Sequence, residues 1–245
     1  MNLLEHCIIP DWPASKNVRA LQTTRSGGFS VAPYHTCNLG DHVGDAPLVV
    51  AKNRMLLQPL LPSEPVWLKQ VHSTAVANAG LSACLPQADA CITTHPGAVC
   101  VVMTADCLPV LLCNEQGSVV GAAHAGWRGL CDGVIEQTVR AMSVPPRSLM
   151  AWLGPAIGPQ AFEVGEEVRT AFVAQQPEAA AAFTPGDSGK WFADIYQLAR
   201  QRLHALGITR IYGGDLCTYT DPERFFSYRR DGATGRMGSF IWIAS

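Results

Sequence analysis

The chain has 245 residues, 48% hydrophobic and 16% charged, with a formal net charge of −2. That composition excludes a disordered chain and is ample for a buried core, while the lack of a long basic run argues against non-specific nucleic-acid or membrane-surface binding. No stretch approaches the roughly 18 uninterrupted apolar residues of a membrane span, and the opening MNLLEHCIIPDW lacks signal-peptide features, so a cytoplasmic protein is expected.

In chain order, residues 18–24 read as a strand entering the loop Arg25-Ser26-Gly27-Gly28. Residues 34–45 have turn density, with His42 as a backbone-shaping residue. Asp45 is then expected to cap a helix whose apolar positions are Val49, Met55, Leu56 and Leu60, closed by Pro62 and Pro65. Residues 66–72 predict a short strand ending on His72, and residues 87–94 another with Asp89 at its start.

The stretch 99–130 is the centre of the chain. Two apolar runs are broken by Thr104-Ala105-Asp106-Cys107, and a third ends in His124-Ala125-Gly126-Trp127-Arg128-Gly129. Apolar runs of this length fit strands buried on both faces, whose ends are where mixed folds carry chemistry. A helix is expected over 130–142, stopped by Pro145-Pro146. A strand over 149–153 then runs into the rigid loop 154–159. Further helices are expected at 166–174 and 192–206, the latter ended by Gly207, with strands at 208–212 and 238–244. Residues 175–189 are Ala/Gln/Pro-rich and read as a surface excursion. No repeat or linker divides the chain, so the reading is one α+β domain over residues 1–245, with layered sheets.

Nine cysteines, at 7, 37, 84, 91, 100, 107, 113, 131 and 217, form no CxxC pair and lie partly inside apolar runs. They suit a reducing compartment better than a disulfide framework. His72, Cys107 and His124 all follow strand-like runs and supply the ligand types a borderline-soft divalent ion prefers, leaving a fourth position for water or substrate. A metal-free alternative makes Cys107 a nucleophile and His124 or His72 its base, with Asp106 orienting that base. Trp127-Arg128-Gly129 before the expected helix suits an anion, and Arg25, Arg229, Arg230 and Arg236 repeat the theme. Phe225, Phe226 and Tyr228 could stack on a base or serve the core.

Seven motifs, TTRSGGFS (23–30), NLGDHVGD (38–45), KQVHS (69–73), TADCLPV (104–110), HAGWRG (124–129), LGPAIGP (153–159) and FFSYRRDGATGR (225–236), resemble the YfiH family, also called the laccase-domain or multicopper polyphenol oxidoreductase family. The resemblance runs in colinear order from residue 18 to the end of the chain. It implies a sandwich of mixed β-sheets with outer helices, akin to a bacterial cytotoxin that uses a Cys–His pair. It implies zinc at His72, Cys107 and His124, and phosphorolysis of adenosine, inosine, guanosine and methylthioadenosine, with adenosine deamination. The alternatives it carries are removal of misincorporated serine from a UDP-MurNAc precursor and copper-dependent phenol oxidation.

On this reading Cys107, His72, His124 and Asp106 are the catalytic candidates. Arg25, Arg128, Arg229 and Asn38 contact substrate or phosphate, and Asp106 and Asp89 accept hydrogen bonds around the metal site. Zinc is the expected metal, with copper as the other possibility, and inorganic phosphate is the co-substrate. The partner is a small molecule, with no nucleic acid and no membrane, for a monomer or homodimer. Multicopper oxidation calls for many closely spaced histidines, whereas this chain has seven and no HxH.

Overall fold

A computed structural model describes residues 3–81 and 85–244. Two sheets face each other at its centre. The six-stranded sheet runs, in spatial order, Arg210–Gly213, Leu149–Leu153, Leu108–Asn114, Val120–Ala125, Ala90–Thr93 and Val76–Asn78. Its inner pairs are antiparallel and its two outer pairs parallel. The four-stranded antiparallel sheet runs Cys7–Ile8, Val18–Thr23, Met237–Ile243 and Val99–Thr104.

The strand period of two explains why the central strands are apolar throughout. Leu111 and Cys113 face Cys100, Val102 and Ile241 between the sheets. Val110 and Leu112 face the opposite way, onto helices Val134–Met142 and Ile195–Ala205, where Ile135, Val139, Leu198 and Ala199 complete a second core. Val101, Met103 and Phe240 face outward from the four-stranded sheet onto Leu57 and Trp67. Each central strand is thus covered on both sides, which gives the expected α+β sandwich with outer helices.

Several elements depart from the sequence reading. The first helix is only Pro47–Met55, and Asp45 does not cap it: one carboxylate oxygen accepts from the Ala46 N–H and the other from Ser30 Oγ and Asn38 Nδ2. Residues 66–72 form no strand beyond isolated bridges at Val66 and Lys69, because the Gln70 and Asp89 side chains take over backbone hydrogen bonding there. The helix expected at 130 starts three residues earlier, as Trp127–Asp132, and breaks at Gly133 (φ 98°) before Val134–Met142.

Residues 175–189 are not simply a surface excursion. The 3₁₀ turn Pro177–Ala182 and strand Phe183–Pro185 bury Ala179, Ala182 and Phe183 against the second core. Phe192 belongs to strand Trp191–Ala193 of a small three-stranded sheet, so the following helix starts only at Ile195, capped by Asp194. The eight described cysteines are unbridged, and Cys84 lies outside the described residues. Among the described residues no helix is long and apolar enough to cross a membrane.

Candidate metal and anion site

The chain passes from the four-stranded to the six-stranded sheet at Ala105-Asp106-Cys107, with Asp106 in the left-handed region (φ 88°). The register then opposes Leu108 to Ala125 and Pro109 to His124, which sets Cys107 beside the end of the His124 strand. On the other side of that strand, Ala90 opposes Ala123, and the His124 N–H donates to the Asp89 carbonyl at 2.7 Å. Strand pairing alone therefore collects Asp89, Cys107 and His124 at one sheet end.

His72 is brought in by Asp89. The buried carboxylate accepts from the backbone N–H groups of Val71 (3.2 Å), His72 (2.9 Å) and Ser73 (2.6 Å), and from Ser73 Oγ (2.8 Å). These bonds close a tight turn in which His72 takes φ 60°. The same carboxylate receives His124 Nδ1 at 2.9 Å, leaving the other ring nitrogen of His124 for Cys107. One carboxylate thus holds both histidines, as the outer partner of a metal-ligating imidazole does.

The ligand atoms of His72, Cys107 and His124 lie within 4.8 Å of one another. Cys107 Sγ is 3.8 Å from His72 Nε2, and the two imidazoles meet edge to face at 4.8 Å. Sulfur and nitrogen ligands of a tetrahedral zinc ion stand about 3.5 Å apart, from bonds of about 2.3 and 2.0 Å, so this donor set suits such an ion. Gly126 keeps the space open: a Cβ there would lie 2.8 Å from His72 Cδ2 and 3.0 Å from Cys107 Sγ. His124 is buried and His72 exposed, so the site has one closed wall and one solvent-facing side.

The charges reinforce one another. Burial pushes the Cys107 thiol up, but the His124 charge and hydrogen bonds from both histidines outweigh it and bring it down to about 6. Burial pushes His124 down, yet the Cys107 charge and the Asp89 hydrogen bond carry it up to about 9. For Asp89 burial opposes ionisation, while the bonds from His124 and Ser73 hold its carboxyl well below the usual carboxylate range. The thiolate and imidazolium sustain each other, and metal binding would displace the proton they share.

The other candidates separate into distinct places. Asp106 is buried, and its carboxylate is engaged by Thr218 Oγ1 (2.6 Å) and the Arg229 N–H (2.7 Å). It ties the Tyr228–Asp231 helix to the turn that carries Cys107 rather than presenting a free oxygen. Arg128, exposed and stacked on Trp127 at 4.4 Å, and Arg229, with Nη1 on the Glu163 carbonyl at 2.8 Å, line one cavity of about 380 Å³ with Trp127, Phe162 and Lys190. Two of its lining residues are tied to the donor set: Trp127 directly follows Gly126, and the Arg229 N–H is bonded to Asp106, the residue before Cys107.

Arg25 does not join this group. It lies on a different cavity with His35 and Pro222, and its guanidinium donates to their carbonyls. Asn38 is fully buried, with its amide bonded to Gly40, Asp45 and the Arg236 N–H, so it holds a loop and offers no atom to a ligand. Arg230 is likewise spent, on the Thr218, Tyr219 and Phe225 carbonyls and on Asp231. Phe225 and Phe226 are core, whereas Tyr228 is exposed. Two features escaped sequence reasoning: the spacer role of Gly126, which needs the three-dimensional approach of three loops, and Lys190, which stands in no motif.

A family model described as multi-copper polyphenol oxidoreductase laccase matches residues 19–244. The protein named purine nucleoside phosphorylase YfiH of Escherichia coli (strain K12) is 57% identical over 240 residues, covering 96% of this chain and 98% of that one. A Pseudomonas aeruginosa protein named purine nucleoside phosphorylase PA4543 is 54% identical over 237 residues, with 96% and 98% covered. The crystal structure of Neisseria meningitidis protein NMB0706 matches with a TM-score of 0.94 and 51% identity, covering 98% of this chain and 100% of that chain.

Proposed function

The chain belongs to the multi-copper polyphenol oxidoreductase laccase family, and we propose that within it the chain is a zinc-dependent purine nucleoside phosphorylase. The substrates are adenosine, inosine, guanosine and methylthioadenosine. The names of the relatives at 57% and 54% identity support the reaction class. The observation that carries the reading is the His72–Cys107–His124 donor set tied, through Gly126–Trp127 and the Asp106–Arg229 hydrogen bond, to a cavity lined by Arg128 and Arg229.

Phosphorolysis breaks the C1′–N9 bond of the nucleoside and forms a C1′–O bond to phosphate. The base leaves with the bonding electrons and takes a proton, giving free purine and ribose 1-phosphate. Zinc on His72, Cys107 and His124 would supply a Lewis acid at the open side of the site. Arg128 and Arg229 bind the phosphate oxygens, for which a planar guanidinium is well shaped. Trp127 and Phe162 lie against those guanidinium groups, at 4.4 and 5.8 Å, and hold them in place before substrate arrives. Asp89 fixes the His124 tautomer and the His72 turn, so the donors need no rearrangement.

Adenosine deamination, proposed as a second activity, needs water at purine C6, from which ammonia leaves, rather than phosphate at C1′, and the exposure of His72 favours the access of water to the donor set. Phenol oxidation by several coppers fits the residues poorly. Among the described residues only one group of three or more potential ligands comes together, and the chain has no HxH.

The test is product analysis with inosine, with and without inorganic phosphate. Hypoxanthine and ribose 1-phosphate formed only with phosphate is the expected result. A protein inert to nucleosides that releases serine from a UDP-MurNAc-serine precursor would overturn the reading.

A further inference from the structure

The cavity beside the metal site holds a third cation. Lys190 lines it together with Arg128 and Arg229, and so do the carboxylates Glu163 and Glu167. Among the described residues, however, none of the three cations makes an ion pair. The carboxylates that pair with arginines elsewhere, such as Glu136 with Arg202 and Glu115 with Arg210, have no counterpart here. Three positive side chains against two carboxylates, none of them ion-paired among the described residues, leave the cavity with a net positive charge that an anion placed among the cations offsets.

The backbone carrying Lys190 is firmly held. Its N–H donates to the Asp187 carbonyl (3.0 Å) and its own carbonyl accepts from Gly186 (2.9 Å), closing the turn between strands Phe183–Pro185 and Trp191–Ala193. The next residue, Trp191, pairs in register with Val164, which itself lines the cavity. The Trp191 ring lies under Arg169 at 4.3 Å, and its Nε1 donates to Glu166 on the helix Glu166–Gln175. The hairpin is therefore clamped to the cavity wall, while the lysine side chain stays exposed.

We infer that Lys190 is a phosphate-binding residue, the third cation of an anion subsite that it forms with Arg128 and Arg229. Its ligand is inorganic phosphate and, in the reverse direction, the phosphate group of a sugar phosphate. The inference rests on the phosphorylase reading for the identity of the anion, and on the three gathered cations for the existence of the subsite. Lysine adds a mobile point charge to two guanidinium groups held flat, which suits a group whose oxygens are redistributed during the reaction.

The experiment compares wild type with Lys190→Gln, Lys190→Arg and, as a charge control on an exposed helix face, Lys52→Gln. Inorganic phosphate is titrated calorimetrically into each zinc-supplemented protein, and KM is measured for phosphate and for inosine. Lys190→Gln is expected to weaken phosphate, in Kd and in KM, by about tenfold or more, the scale of a hydrogen bond to a charged group. The inosine KM stays within about twofold; Lys190→Arg restores most of the affinity, and Lys52→Gln changes nothing. A merely structural lysine would move both KM values together and would not be rescued by arginine.

Unchanged phosphate binding and phosphorolysis in Lys190→Gln would overturn the inference and leave the phosphorylase reading intact. Lysine-dependent phosphate binding by a protein inert to nucleosides would do the reverse. No phosphate binding in any variant overturns the inference outright.

Discussion

Asp89→Asn is the most informative substitution at the metal site, because it keeps the shape and removes only the charge and one acceptor. The carboxylate serves five donors: three backbone N–H groups, Ser73 Oγ and His124 Nδ1. If the amide oxygen keeps the Val71 and Ser73 side, the amide nitrogen faces His124 Nδ1. The imidazole must then accept there, which moves its proton to the nitrogen that faces Cys107. Breaking a buried charge pair costs about 3–5 kcal/mol. For a chain of this size that lowers the unfolding midpoint by roughly 6–20 °C.

The sign of the pH dependence follows from the direction of the Asp89 shift. Its folded carboxyl is held below the ordinary value, so its stabilisation is present above the unfolded value of about 3.9 and is lost as pH falls. The gap between wild type and Asp89→Asn in metal-free protein is expected to be full between about pH 4 and 6.5, to close progressively below about pH 4, and to shrink as pH rises toward the His124 value of about 9. Zinc affinity, read by chelator competition, should fall about 10–100-fold. Wild-type melting at neutral pH together with wild-type zinc affinity would refute the claim that one carboxylate organises both histidines.

Gly126→Ala places a methyl group 3.0 Å from Cys107 Sγ and 2.8 Å from the His72 ring. Metal analysis of the folded variant should show zinc content well below wild type. In metal-free protein, ultraviolet titration of the Cys107 thiolate should give a midpoint of about 6, and His124→Gln should raise it as burial regains control. Arg128→Gln or Arg229→Gln should raise the phosphate KM about tenfold or more. Arg25→Gln should leave it unchanged, because Arg25 lies on a separate cavity.

The central strands were legible because both faces of each are covered. Runs such as Val99–Thr104 and Leu108–Asn114 admit no polar face, and their ends place Cys107 and His124 without further information. What was not legible depends on long-range side-chain bonds. His72 reads as the end of a strand, yet its backbone is set by the carboxylate of Asp89, 17 residues away. Asp106 reads as a reactive carboxylate beside a cysteine, while its oxygens are claimed by Thr218 and the Arg229 N–H, more than 100 residues distant.

Composition misled at residues 175–189, where alanines that suit an exposed turn instead fill space against the core. Among the arginines, residue type suggested anion binding equally for Arg25, Arg128, Arg229 and Arg230. Only their partners tell them apart, since Arg230 is spent on carbonyls and Asp231 while Arg128 has no ion pair among the described residues.

The claim at the centre of this account is that one metal ion, held by His72, Cys107 and His124, supports phosphorolysis next to the arginine-lined cavity. Its most direct test is zinc titration of metal-depleted protein while ribose 1-phosphate formation from inosine is followed. The account predicts negligible activity without metal and a rise that saturates at one zinc per chain. Undiminished activity after metal removal, or saturation only with several copper ions per chain, would contradict it.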